Sequence, residues 1–124
     1  MKITLPLSVM SGKEKFILNL NNYRNAHYQT LNKAKVNYKA AINVEGLEPV
    51  KGSVTLTYIY YHGDRRKVDI SNPCSVIDKF ACDALVEYGI LPDDNCDIVK
   101  RVMYVYGGVD KDNPRCELKI TEVA

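Results

Sequence analysis

The sequence has no tryptophan, only two phenylalanines and two histidines, and no apolar run of the roughly 18 residues that a membrane-spanning helix needs. Without tryptophan, aromatic packing falls to nine tyrosines, whose hydroxyls suit a sheet with a partly exposed face. The scarcity of histidine argues against a zinc site, since His27 and His62 lie far from every cysteine in sequence. The four cysteines (Cys74, Cys82, Cys96 and Cys116) are spaced 8, 14 and 20 apart with no Cys-x-x-Cys pair. They are expected as reduced thiols, neither a zinc cradle nor a disulfide framework. The opening MKITLPLSV is interrupted by threonine, proline and serine and is followed by no cleavage signal. No membrane partner is expected, and a cytoplasmic location is the default.

What the chain does have is ordinary in amount and uneven in placement. Its 124 residues suit one domain, 1–124, with 46% apolar and 26% charged content. The net charge of +2 hides a split: residues 1–67 hold eleven Lys and Arg against four acids (+7), and residues 68–124 hold six against eleven (−5). Such asymmetry points to a polyanion partner. The acids concentrate in DISNPCSVIDKFACDALVEYGILPDDN, residues 69–95, with six carboxylates (Asp69, Asp78, Asp83, Glu87, Asp93, Asp94) against the single Lys79.

Periodicity predicts a strand over 2–9, a loop through NLNNYRNAHYQTLN, and a helix over about 31–45 that ends before Gly46. A strand over 50–61, rich in β-branched and aromatic residues, follows; VDI (68–70) extends the sheet briefly. A helix over about 73–88 has Asn72 as its N-cap, Pro73 in its first turn and Gly89 as its stop. Two more strands, 98–106 and 115–122, are joined through GGVDKDNP as a hairpin. The expected fold is α/β of the α+β kind: a small mixed, mostly antiparallel sheet with two helices.

On a helix at 100° per residue Asn72, Lys79 and Asp83 share one side, while Asp78 points about 140° from Asp83 and is free to face solvent. Asp69 precedes the helix, and Asp93 and Asp94 follow it. A helix of this length spans about 22 Å, so Asp69 and Asp94 meet only if the chain doubles back after Gly89 or adjacent strands carry them together. Clustered carboxylates suit a hard cation such as Mg²⁺, which takes oxygen ligands, activates water and neutralises charge in phosphodiester hydrolysis. A lysine beside it would stabilise the charge on phosphorus. Equally, Lys79–Asp83 reads as an ordinary i,i+4 pair and Asp93–Asp94 as an ordinary turn.

The order D69-I-S-N72, D78-K79-F-A-C-D83-A-L85 and G89-I-L-P-D93-D94 resembles the signature of RusA-type Holliday junction resolvases, found in bacteria and their phages. The flanks agree: Ile3 to Pro6 at the start, Arg65, Arg66 and Lys67 before the first acid, and Glu117 to Glu122 at the end. The resemblance implies a RusA-like homodimer in the cytoplasm of a bacterium or phage-infected cell. It would cut four-way branched DNA by paired nicks, using Mg²⁺ (or Mn²⁺ as substitute) and no nucleotide cofactor. It implies Asp69, Lys79, Asp83 and Asp94 as catalytic, Asp69, Asp83, Asp93 and Asp94 as metal ligands, and Asn72 and Lys79 at the DNA.

Arg65, Arg66 and Lys67 are expected on phosphates, and Tyr23 with Arg24 on DNA through stacking and charge. Two departures stand out. Ser71 occupies the place of a usual ligand aspartate, and three extra residues separate Asn72 from Lys79. Either Asp78 or Asp83 replaces the lost carboxylate, or Ser71 holds a metal-bound water, or the protein binds junctions and cuts poorly. His27 is a candidate general base against an exposed loop histidine; Phe80 a candidate wedge against a core residue; and Lys33, Lys35 and Lys39 a DNA track against a solvated helix face.

Overall fold

In the computed structural model, which describes residues 1–123, alternation of apolar residues builds the sheet and a 17-residue amphipathic helix covers one side of it. The chain runs β1 (Lys2–Leu5), β2 (Ser8–Ser11), β3 (Glu14–Ile17), α1 (Leu20–Asn25), α2 (Tyr28–Ala41), β4 (Val54–His62), α3 (Ser71–Glu87), β5 (Val99–Val109) and β6 (Arg115–Glu122). The main sheet has the order β1-β6-β4-β5; β2 and β3 form a separate hairpin. β6 is antiparallel to β1 and β4, and β5 is parallel to β4. The sheet is therefore mixed and mostly antiparallel, as expected.

On β4 the residues Val54, Leu56, Tyr58 and Tyr60 point to the core and alternate with half-buried neighbours. α3 supplies the opposing layer through Pro73, Val76, Ile77, Phe80, Ala81, Ala84 and Leu85. Phe80 is 2% exposed, stacked on Phe16 at 6.0 Å and edge-on to Tyr38 at 5.5 Å, so it is core and no wedge. All four cysteines are free thiols, three of them buried. Among the described residues no helix is long and apolar enough to cross a membrane.

Several expected elements differ. The opening strand breaks at Pro6, and its second half turns away to pair with Glu14–Ile17. The expected loop around Tyr23 contains α1, capped by the Asn19 side chain, which accepts from the Asn22 amide. Among the described residues there are thus three helices where two were expected. α2 begins at Tyr28, because His27 Nδ1 accepts the Gln29 amide at 3.3 Å and caps it. It ends at Ala41, well before Gly46.

The triplet 68–70 is not a strand. The final two strands do not form a hairpin: β4 lies between them, and the connection crosses its end, where Asp110 donates to the His62 carbonyl at 2.8 Å. Pro114 packs over Gly63 there, and a Cβ on Gly63 would stand 3.1 Å from the Pro114 ring.

Candidate nucleic-acid and acid sites at the two ends of α3

The strand β4 and the helix α3 are joined by Gly63–Ile70, and this loop builds the first candidate site. With Leu18, Asn19, Tyr60, His62 and Asn72 it encloses a cleft of about 520 Å³ lined by Asp64, Arg66, Lys67 and Asp69. A side-chain relay fixes the loop. Tyr60 Oη and His62 Nδ1 are 3.2 Å apart, His62 Nε2 stands 3.3 Å from Asp64, and Asp64 accepts from Arg66 Nε at 3.0 Å. The Arg66 bonds hold the Asp64 carboxyl below the usual carboxylate range. Arg66 is thus tied back along its own loop, while Arg65 and Lys67 extend into solvent. Arg65, Arg66 and Lys67 also border a second hollow whose far wall is Tyr106 of β5. Tyr60, His62 and Asp64 were not singled out from the sequence, although the alternation His62-x-Asp64-x-Arg66 running on from a strand carried the signal.

Asp69 is exposed, and its Oδ1 accepts the Ser71 hydroxyl at 2.8 Å and the Ser71 amide at 3.3 Å. Ser71 thus occupies one oxygen of the neighbouring acid. Asn72 is not the N-cap. The cap is Ile70, which has no side-chain cap bond, and the Asn72 side-chain carbonyl instead accepts the Leu20 amide at 2.9 Å, tying α1 to α3.

Halfway along α3, Lys79 is exposed, with its ammonium 5.9 Å over the Tyr23 ring. This cation–π contact engages one face of Tyr23; Arg24, beside it on α1, is exposed. The expected i,i+4 pair does not form, because Asp83 accepts from Lys35 at 3.2 Å. Lys39 pairs with Glu87 at 3.0 Å and lies over Tyr88. Two of the three α2 lysines therefore clamp α2 to α3, and only Lys33 fully faces solvent.

Asp78 is the clearest correction. It is half-buried and turned to the sheet, and accepts the buried Tyr58 hydroxyl at 2.6 Å, the Cys82 thiol at 3.3 Å and the Tyr104 hydroxyl at 3.4 Å. Desolvation first, then the Asp78 charge, pushes Tyr104 up to about 12. Both of its oxygens are thus engaged within the fold, by Tyr58 and Cys82 on one and Tyr104 on the other.

At the far end of α3, the turn after Gly89 folds back so that Asp93, Asp94 and Asp83 share a neighbourhood. Asp94 donates its amide to Asp93 Oδ1 at 2.7 Å. Its own carboxyl is raised by desolvation, then by Asp93 and Asp83. Asp69 and Asp83 are fourteen positions apart, so the helix separates the two acidic ends by about 21 Å at 1.5 Å per residue. Asp69 and Asp94 therefore do not meet in one chain. Among the described residues no group of three or more His, Cys, Asp or Glu side chains could hold a metal ion. The expected ligand set Asp69, Asp83, Asp93 and Asp94 is not assembled in the single chain. No family model and no curated protein matches the sequence.

Proposed function

We propose that the chain is an endonuclease of branched DNA, acting on four-way junctions in recombination, repair or phage DNA processing. The observation that carries the reading is the corner where β4 meets α3. There an exposed Asp69 with an uncommitted Oδ2 stands beside Arg65, Arg66 and Lys67 at the mouth of a cleft. Cations in that position draw a phosphodiester backbone toward a carboxylate that would otherwise repel it. The order of residues from Asp69 to Asp94, with its resemblance to RusA-type resolvases, supports the same substrate. Among the described residues no three or more His, Cys, Asp or Glu side chains group to hold the cation expected of that reaction, Mg²⁺ or Mn²⁺. Arg65 and Lys67 take phosphate, Arg66 is steered by Asp64, Lys79 and Arg24 extend the basic track along α3 and α1, and Asn72 fixes α1 against α3.

A second reading, binding of junctions without cleavage, is favoured by the Ser71 hydroxyl that occupies Asp69 Oδ1. A labelled four-way junction incubated with Mg²⁺ or Mn²⁺ separates the two. Nicking by the wild type, lost in Asp69→Asn and Asp94→Asn with salt-sensitive binding retained, supports the nuclease. Tight binding with no nicking under either metal selects the second reading, and binding that fails at low salt removes both.

A further inference from the structure

Tyr106 stands on β5 where that strand is deformed. Tyr60 pairs with Tyr106, but the next residue of β4, Tyr61, pairs with Gly108, so Gly107 is an extra residue and the ladder bulges there. The bulge needs its glycines. A Cβ on Gly107 would come within 2.7 Å of the Tyr61 ring and 2.9 Å of Ile59, and Gly108 has a φ of 117°. A bulge re-aims the side chain beside it. Two residues earlier Tyr104 packs edge-on against Tyr58 at 5.9 Å, so Tyr106 leaves the sheet on that same side, toward α3. It is 47% exposed, a large ring held at a fixed place and left uncovered.

The loop from β4 to α3 closes the other side of a hollow of about 500 Å³, within the range of small-molecule sites. Tyr106, Val68 and Ile70 are its apolar walls, and Arg65, Arg66 and Lys67 its rim. Among the described residues its lining includes no acid. The cleft on the opposite side of the loop is lined by Asp64 and Asp69. One short loop thus divides two hollows of different character. Arg66 keeps its Nε and one Nη on Asp64, which leaves the other edge of its guanidinium for an anion.

An apolar slot walled by an aromatic ring and rimmed by cations alone fits a planar ring that carries phosphate. Every nucleobase has a face for such stacking, whatever the sequence. Linear duplex keeps its bases paired and stacked. At the branch of a four-way junction continuous stacking is lost, and a base there leaves the helix at least cost.

We propose that the hollow between Tyr106 and the Val68–Ile70 segment receives one nucleobase released at the branch, stacked on the Tyr106 ring, with its phosphate held by Arg65 and Lys67. This inference rests on the junction-binding reading and names the part of the junction that the protein distinguishes from duplex. Asp69 lies between Val68 and Ile70 in the chain, so a base seated there brings its strand beside the carboxylate.

The test compares a four-way junction with a linear duplex built from the same arms. Wild type is expected to prefer the junction. Tyr106→Ala weakens junction binding about tenfold, the contribution of one base–aromatic stack, and leaves duplex binding as it was. Tyr106→Phe keeps the ring and keeps the preference. Salt dependence separates ring from charge: it is unchanged in Tyr106→Ala, whereas Arg65→Ala lowers the salt slope by about 1. Because Tyr106 is half in water already, the melting curve of Tyr106→Ala matches wild type. Equal loss on junction and duplex, or no loss on either, overturns the inference and leaves the junction reading standing.

Photochemical crosslinking supplies the second arm. With 5-iodouracil in place of the branch thymines, light joins the base to the aromatic ring it stacks on, and mass spectrometry is expected to find the adduct on Tyr106. An adduct on any other residue overturns the inference. If wild type binds no junction, that reading falls, and the hollow is decided on a single strand of about eight thymidines carrying the same iodinated base. A Tyr106 adduct there keeps the hollow as a nucleobase site; no adduct, or binding indifferent to Tyr106→Ala, rejects it.

Discussion

The Tyr58–Asp78 pair sets a stability test whose outcome is not additive. Tyr58 is fully buried, and its hydroxyl donates to Asp78 at 2.6 Å; its one other contact is the Cys82 sulfur at 3.7 Å. Asp78→Ala removes a charged acceptor and orphans a buried hydroxyl, a change that costs about 3 kcal/mol. Tyr58→Phe removes donor and hydroxyl together, leaves Asp78 with Tyr104 and partial hydration, and costs about 1–2 kcal/mol. With both changes the orphan disappears, so the double variant loses about 3 kcal/mol, not the sum of 4–5, and the coupling is about 1–2 kcal/mol.

Urea unfolding of the four proteins measures this directly. Asp78→Ala alone lowers the melting temperature by roughly 10–15 °C for a domain of this size. Additivity within about 0.3 kcal/mol would refute the pairing and return Asp78 to solvent. The same geometry denies Asp78 a place in the chemistry, so Asp78→Asn retains junction nicking under conditions where Asp69→Asn has lost it.

Two further outcomes follow from packing and charge. Phe80→Ala, which empties a site bounded by Phe16, Tyr23 and Tyr38, costs about 3–5 kcal/mol in urea unfolding; an unchanged stability with weakened junction binding would restore the wedge. Glu117, 8% exposed, is held below its ordinary value of 4.5 by Lys2 first and then Arg115. Because its folded value is depressed, the stability it contributes is whole above 4.5 and drains as pH falls through the lower folded value. Unfolding followed from pH 6 to pH 2.5 should therefore lose a step in Glu117→Gln, and an identical acid profile would refute the pairing.

Much of the fold was legible because it rests on local patterns. β4 announces itself by Val54, Leu56, Tyr58 and Tyr60 at alternate positions, and α3 by an apolar stripe with Pro73 at one end and Gly89 at the other. The reduced cysteines and the core role of Phe80 were also within reach. Missed were the cap at His27, which needs only a side chain turned onto the Gln29 amide, and α1, whose six residues are too few to show a period. The relay Tyr60–His62–Asp64–Arg66 was hidden because a strand end and a loop cooperate in it.

By itself the sequence determined that the segments of β4, α3 and β6 are strand, helix and strand, which residues carry charge, and that the acids follow a basic first half. Those are properties of neighbours within a few positions, where periodicity and propensity act. Only the tertiary structure decided that Asp78 faces the sheet, that Lys35 and not Lys79 takes Asp83, and that β4 separates the last two strands. Only it decided that Asp69 and Asp94 stand at opposite ends of α3. Each of these depends on which element lies across from a residue, and that is fixed by burying apolar faces between segments distant in the chain.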